Sequence, residues 1–122
     1  MRVKEGKMRI ERELMRGAGP LAVLQLLEKR PMYGYELVEA LSRRTEGVLA
    51  MGQSTLYPLL YNLESKEFIR GVWRESEAGR QRKYYELTNK GIARLHSDRK
   101  QWSDLVAAMR QIGLLGSGSA ER

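Results

Sequence analysis

Between Lys66 and Lys83 the chain carries six cations, Lys66, Arg70, Arg74, Arg80, Arg82 and Lys83, against three acids, Glu67, Glu75 and Glu77. Such a cluster suits a polyanion, because each cation that neutralises a phosphate releases condensed counterions. A little upstream, Gln53, Ser54, Thr55, Tyr57 and Pro58 form a polar, uncharged stretch. Amide and hydroxyl side chains both donate and accept hydrogen bonds, which is what reading the edges of base pairs requires. Catalysis has no comparable set of residues. His96 is the sole histidine, cysteine is absent and no motif holds a pair of carboxylates, so neither a metal site nor a catalytic triad can be assembled. Gly17-Ala18-Gly19-Pro20 matches neither the dinucleotide fingerprint nor a P-loop. The expectation is a binding protein that is not an enzyme and uses no cofactor.

The whole chain repeats the signal of its basic segment. It has 22 Lys+Arg against 15 Asp+Glu, a formal charge of +7 and a sequence pI near 9.9, which favours an anionic partner. Its 122 residues make one small domain with a modest core. A charged fraction of 30% and a mean hydropathy of -0.53 argue against a membrane span. Met1 to Lys7 is charged with no apolar run behind it, so the chain reads as cytoplasmic. The absence of cysteine excludes a disulfide framework.

Three short helices are expected before the basic segment. Residues 1 to 17 read as a polar arm or short amphipathic helix, interrupted by Gly17, Gly19 and Pro20. Pro20 then opens a first helix, its missing N–H costing nothing there, and the helix runs to about Lys29. Gly34, Leu37, Val38 and Leu41 fall at helical spacing in a second helix, from Tyr33 to about Arg44. Gly34 on its buried face permits a close crossing. Leu56, Leu59, Leu60 and Leu63 repeat the spacing in a third, which starts near Ser54 with Ser54 or Thr55 as its N-cap. Pro58 is tolerable in or just after the first turn. Phe68 to Arg74 and Arg82 to Leu87 read as strands joined by a turn over Glu75 to Gln81. Alternation puts Tyr85 in the core, and Trp73 is expected to pack within the hairpin. Thr88 caps a long last helix, on which Leu95, Trp102, Leu105, Met109 and Ile112 make a heptad-like seam. The end of the chain is rich in glycine and serine and is expected to be flexible.

This order of elements gives an α+β, mostly helical winged helix-turn-helix over residues 18 to 88, followed by a long helix over 89 to 113 and a tail over 114 to 122. In that fold the third helix enters the major groove. Gln53, Ser54, Thr55, Tyr57 and Pro58 are its candidate DNA contacts, with capping as the ordinary alternative for Ser54 and Thr55. Tyr61 and Asn62, one turn on, are as well explained by solvent as by DNA. Arg74, Arg80, Gln81, Arg82 and Lys83 are the candidate wing contacts, against the plain alternative of a solvated hairpin. Double-stranded DNA is the expected partner. A protein-docking winged helix and a sequence-indifferent nucleic-acid binder are the competing readings.

Three blocks then resemble the PadR-type transcriptional regulators, named for repressors of phenolic-acid decarboxylase genes. They are Pro31-Met32-Tyr33-Gly34-Tyr35-Glu36-Leu37, Gly52-Gln53-Ser54-Thr55-Leu56-Tyr57-Pro58-Leu59-Leu60-Tyr61-Asn62-Leu63-Glu64, and Gly79-Arg80-Gln81-Arg82-Lys83-Tyr84-Tyr85-Glu86-Leu87-Thr88 with Gly91. The resemblance covers about residues 14 to 112. It implies a homodimeric repressor of the short branch, with a single C-terminal dimerisation helix whose interface would include Leu95, Trp102, Leu105, Val106, Met109 and Ile112. It implies that Tyr33 and Tyr35 pack the domain or approach the DNA backbone. It also implies a site for a small hydrophobic or aromatic effector beside Trp102, for which interface packing is the simpler explanation. Gly17 to Pro20 departs from the family's unbroken helical stretch.

Overall fold

The computed structural model describes residues 10 to 116. The arm over residues 1 to 9 and the tail from residue 117 lie outside the described residues. The elements run α1 (Arg12–Lys29), β1 (Met32–Tyr33), α2 (Gly34–Arg43), α3 (Gln53–Ser65), β2 (Ile69–Glu75), β3 (Gln81–Leu87) and α4 (Asn89–Gln111). Among the described residues no helix is long and apolar enough to cross a membrane.

Helix α1 corrects the expected start at Pro20, because it begins at Arg12 and carries Pro20 inside it. Pro20 removes one bond of the helical ladder, yet the chain stays helical on both sides of it. Tertiary packing explains why: Gly19 is buried so closely that an added Cβ would lie 3.2 Å from Leu59 and 3.6 Å from Met51, while Met15 packs against the core. Beyond the proline, Val23, Leu24, Leu26 and Leu27 are buried, and Pro31 ends the run as expected.

The sheet has three strands in the order β1-β3-β2, all antiparallel. The hairpin pairs Ile69 with Leu87 and, at its outer end, Glu75 with Gln81. The two-residue β1 pairs Met32 with Tyr85 and Tyr33 with Tyr84, so Tyr33 precedes α2 and is not part of it. Leu37, Leu41, Leu56, Leu60, Leu63, Ile69 and Tyr85 close one core with the α1 leucines. Leu95 joins them at 0% exposure. That corrects its place on a dimer seam, since nothing of it remains for a second copy to cover.

Helix α4 is latched to the start of the hairpin. The Thr88 hydroxyl accepts from the Gly91 N–H at 2.9 Å and donates to the Glu67 carbonyl at 2.6 Å. The Thr88 N–H donates to the Phe68 carbonyl at 3.1 Å. Farther along, Arg99 clamps α4 to α1, donating to Gln25 Oε1 at 3.0 and 2.8 Å and to the Glu28 carboxylate. That hydrogen bond is the main reason the Glu28 carboxyl lies below its ordinary range, with the Arg99 charge adding to it.

Candidate nucleic-acid interface

The phase of α3 is set by Leu56, Leu60 and Leu63, which are buried. The opposite face must then look outward. Gln53, Ser54, Thr55, Tyr57 and Pro58 are all exposed in its first two turns. The N-cap is Gly52, whose carbonyl accepts from the N–H groups of Thr55 at 3.1 Å and Leu56 at 3.0 Å. This corrects the capping role of Ser54 and Thr55: they are the second and third residues of the helix, and no side chain caps it. Because the helix starts at Gln53, Pro58 falls in the second turn and leaves the Ser54 carbonyl without its ladder donor. Tyr61 is 74% exposed on the same outward face, which makes it a stronger candidate than the sequence suggested.

Tyr57 packs against Gly34 at its hydroxyl end. A Cβ at Gly34 would come within 2.2 Å of Tyr57 Oη, so the missing side chain of Gly34 admits a phenol, where the sequence pointed only to a close helix crossing. Tyr85 lies buried beneath the hairpin. Burial pushes its phenol upward in pKa, and the nearby Glu64 and Tyr57 add to the shift.

The wing is a tight hairpin. Gly79 at φ +82° makes the turn with a conformation that favours glycine, and its N–H donates to the Ser76 carbonyl at 2.9 Å. The hairpin cations divide into two groups. Arg70 donates to Glu86 at 2.8 Å and Arg74 lies 3.7 Å from the same carboxylate. Lys83 donates to Glu64 Oε1 at 3.3 Å, and the Gly71 N–H donates to Glu64 Oε2 at 3.3 Å, so this acid ties α3 to the wing. Arg82 stacks 4.4 Å over the Tyr33 ring. Among the described residues Arg80 and Arg82 make no ion pair, and Arg80 is exposed beside the turn with Gln81.

Two sequence assignments change accordingly. Tyr33 is half-buried, with one face under Arg82 and its ring edge-on to Tyr84 at 5.4 Å. Its N–H donates to Glu36 at 3.1 Å, so it supports the wing and has little ring surface left for a duplex. Lys83 and Arg74 likewise meet carboxylates of their own chain before any phosphate. Trp73, expected to pack within the hairpin, is 65% exposed on the face that also carries Lys83.

On α4, Trp102 is 46% exposed at the rim of an apolar groove of about 490 Å3 between α1, α2 and α4, lined among others by Leu21, Leu26, Leu41 and Leu49. Leu105 and Ile112 are exposed, while Val106 and Met109 are half-buried. These five side chains leave an open apolar stripe. Among the described residues no cluster of three or more His, Cys, Asp or Glu could hold a metal ion.

The Transcriptional regulator PadR-like family matches this chain over residues 23–97, which spans α2, α3, the whole hairpin and the start of α4. A transcriptional regulator from Streptococcus is similar in structure, with TM-score 0.75 and 36% identity, covering 84% of this chain and 98% of that one. A PadR-like transcriptional regulator from Bacillus cereus strain ATCC 14579 gives TM-score 0.76 at 27% identity, covering 86% and 99%. Transcriptional regulator YqjI of Escherichia coli (strain K12) is 32% identical over 81 residues, which are 66% of this chain and 37% of that protein.

Proposed function

The chain belongs to the Transcriptional regulator PadR-like family, and from that premise we propose that it is a cytoplasmic, homodimeric repressor that binds double-stranded DNA sequence-specifically. One observation carries the reading: the outward face of α3 is polar and uncharged, and it stands beside a hairpin whose tip presents Arg80, Gln81 and Arg82. Gln53, Ser54, Thr55 and Tyr57 meet base edges in the major groove, with Pro58 and Tyr61 filling its floor. Arg80 and Arg82 supply phosphate contacts that hold the register without reading sequence. A docking module has no use for that division.

The stripe of Trp102, Leu105, Val106, Met109 and Ile112 pairs with its copy in a second chain. Such a dimer offers two reading helices to half-sites about one helical turn or a small multiple apart, and occupancy excludes polymerase. The groove beside Trp102 has the size of a small-molecule site and suits a small hydrophobic or aromatic effector. That effector releases DNA only by favouring one arrangement of the two wings. Binding of planar dyes, read from the change in the dye's own emission and lost in Trp102→Ala, is the expected signature, and binding that survives the substitution refutes the site.

The test of the whole reading is selection of bound duplexes from a random pool, followed by the affinity of the winner relative to a scrambled duplex at two salt concentrations. A two-fold symmetric winner with a ratio on the order of a thousand is expected. Salt-sensitive binding without enrichment identifies a non-specific binder, and no binding favours protein docking.

A further inference from the structure

Trp73 is a large side chain that the fold leaves uncovered. It stands on β2 opposite Lys83, with Gly71 two residues behind it on the same face. Gly71 has no side chain to pack on the indole, and Lys83 is turned toward Glu64. Tyr85, the diagonal neighbour, is buried while Trp73 is 65% exposed. An indole left in water on a short hairpin forgoes the burial that favours aromatic residues in folded chains.

Its surroundings indicate what covers it. Trp73 forms one wall of a shallow cleft between α3 and the wing, lined among others by Tyr57, Gln81, Arg82, Lys83 and Tyr85. With α3 in a major groove and the wing reaching the next minor groove, the strand that separates the grooves has to cross that cleft. Of its two cations Lys83 is matched by Glu64, while Arg82 stacks on Tyr33 and makes no ion pair among the described residues. Arg82 is therefore free to take a phosphate, while the uncharged wall that Trp73 makes matches the C–H face of the adjoining sugar.

We infer that Trp73 packs against a deoxyribose of the DNA strand held between α3 and the wing, an apolar clamp that adds affinity without adding charge. The inference rests on the DNA-binding reading above. The clamp is indifferent to sequence, since every nucleotide carries the same sugar, and indifferent to salt, since it displaces no counterion.

The probes are two short fluorescein-labelled duplexes, one of mixed sequence and one of only G·C pairs, titrated at several salt concentrations. Trp73→Ala weakens both roughly tenfold, and Trp73→Phe recovers part of the loss. Neither variant changes the slope of log affinity against log salt, whereas Arg80→Ala lowers it by about one unit per protomer. Acrylamide quenching gives a second readout: DNA shields part of the tryptophan emission in the wild type, and the shielded part is missing in Trp73→Phe. Thermal melts close to wild type show that the variants are folded.

Unchanged affinity of Trp73→Ala together with an indole that stays open to acrylamide on DNA overturns the clamp and leaves the DNA reading intact. A salt slope that falls with the affinity also overturns it, because Trp73 would then act by placing cations. A wild type that binds neither these duplexes nor any selected from the random pool ends both.

Discussion

Gly91→Ala is expected to destabilise the protein severely although alanine is the better helix former. An added Cβ would lie 1.9 Å from the Phe68 carbonyl oxygen and 2.9 Å from its carbon. The obstacle is backbone, so no rotamer relieves it, and the start of α4 has to move by roughly 1 Å to restore ordinary contact. Such a movement costs about 1 to 3 kcal/mol as overpacking. It also strains the bonds from Thr88 to the carbonyls of Phe68 and Glu67, each worth about 1 kcal/mol. Helix propensity returns about 1 kcal/mol at most. The net loss is about 3 kcal/mol, a drop in Tm on the order of 10 °C for a chain of this size. Gly17→Ala is the matched control: nothing lies within 4 Å of a Cβ at that helical position, so the same substitution gains about 0.5 to 1 kcal/mol. Thermal unfolding followed by circular dichroism at one fixed protein concentration reads both signs. A Gly91→Ala protein that melts at or above wild type refutes the latch.

Four further outcomes follow from the same geometry. Gln53→Ala changes base preference at one position of a selected site, at a cost of about 1 to 3 kcal/mol; equal losses on every sequence refute its reading role. Gly34→Ala displaces Tyr57, whose Oη lies 2.2 Å and Cζ 2.7 Å from the new carbon, so adding Tyr57→Phe rescues its melting temperature only in part. Glu28 titrates below its ordinary range because of its hydrogen bond to Arg99. The clamp is therefore intact above the ordinary carboxylate range and is lost as pH falls through the lowered value, so the melting curves of wild type and Glu28→Gln converge in acid. Replacing Arg80 and Arg82 by alanine together lowers the salt slope of DNA binding by about two units per protomer, whereas replacing Arg70 and Arg74, which share the single charge of Glu86, lowers it by less.

The periodic parts of the fold were legible in the sequence, and the parts held by distant partners were not. Leucines at helical spacing placed α2 and α3, and the turn residues between two β-type runs placed the hairpin. Pro20 misled because local chemistry marks it as a first helical residue, while the close packing of Gly19 on Leu59 and Met51 carries α1 through it. β1 is two residues long, too short for any period, and exists because β3 offers it an edge. Ser54 and Thr55 have the chemistry of caps, but burial of Leu56 fixes the phase so that Gly52 takes the position. Leu95 fits a heptad seam and a core equally well by spacing alone, and only the tertiary structure decides between them.

The wing shows the same limit at the functional site. Counting cations gave six between Lys66 and Lys83, yet Glu86 stands between Arg70 and Arg74, and Glu64 holds Lys83. Those acids lie on other strands or helices, 16 residues from Arg70 and 19 from Lys83, so no local window reveals the pairing. Lys66 sits at the far end of α3, as its C-cap. The cluster is therefore two devices. The paired cations fix the hairpin against α3 and across its own strands, which sets the angle at which the wing leaves the domain. Arg80 beside the turn and Arg82 next to it make no ion pair among the described residues. A hairpin with all its cations free would bind any polyanion from many angles. In the function proposed above, pairing most of them internally concentrates attraction at the tip, so that the uncharged face of α3 would decide which duplex is held.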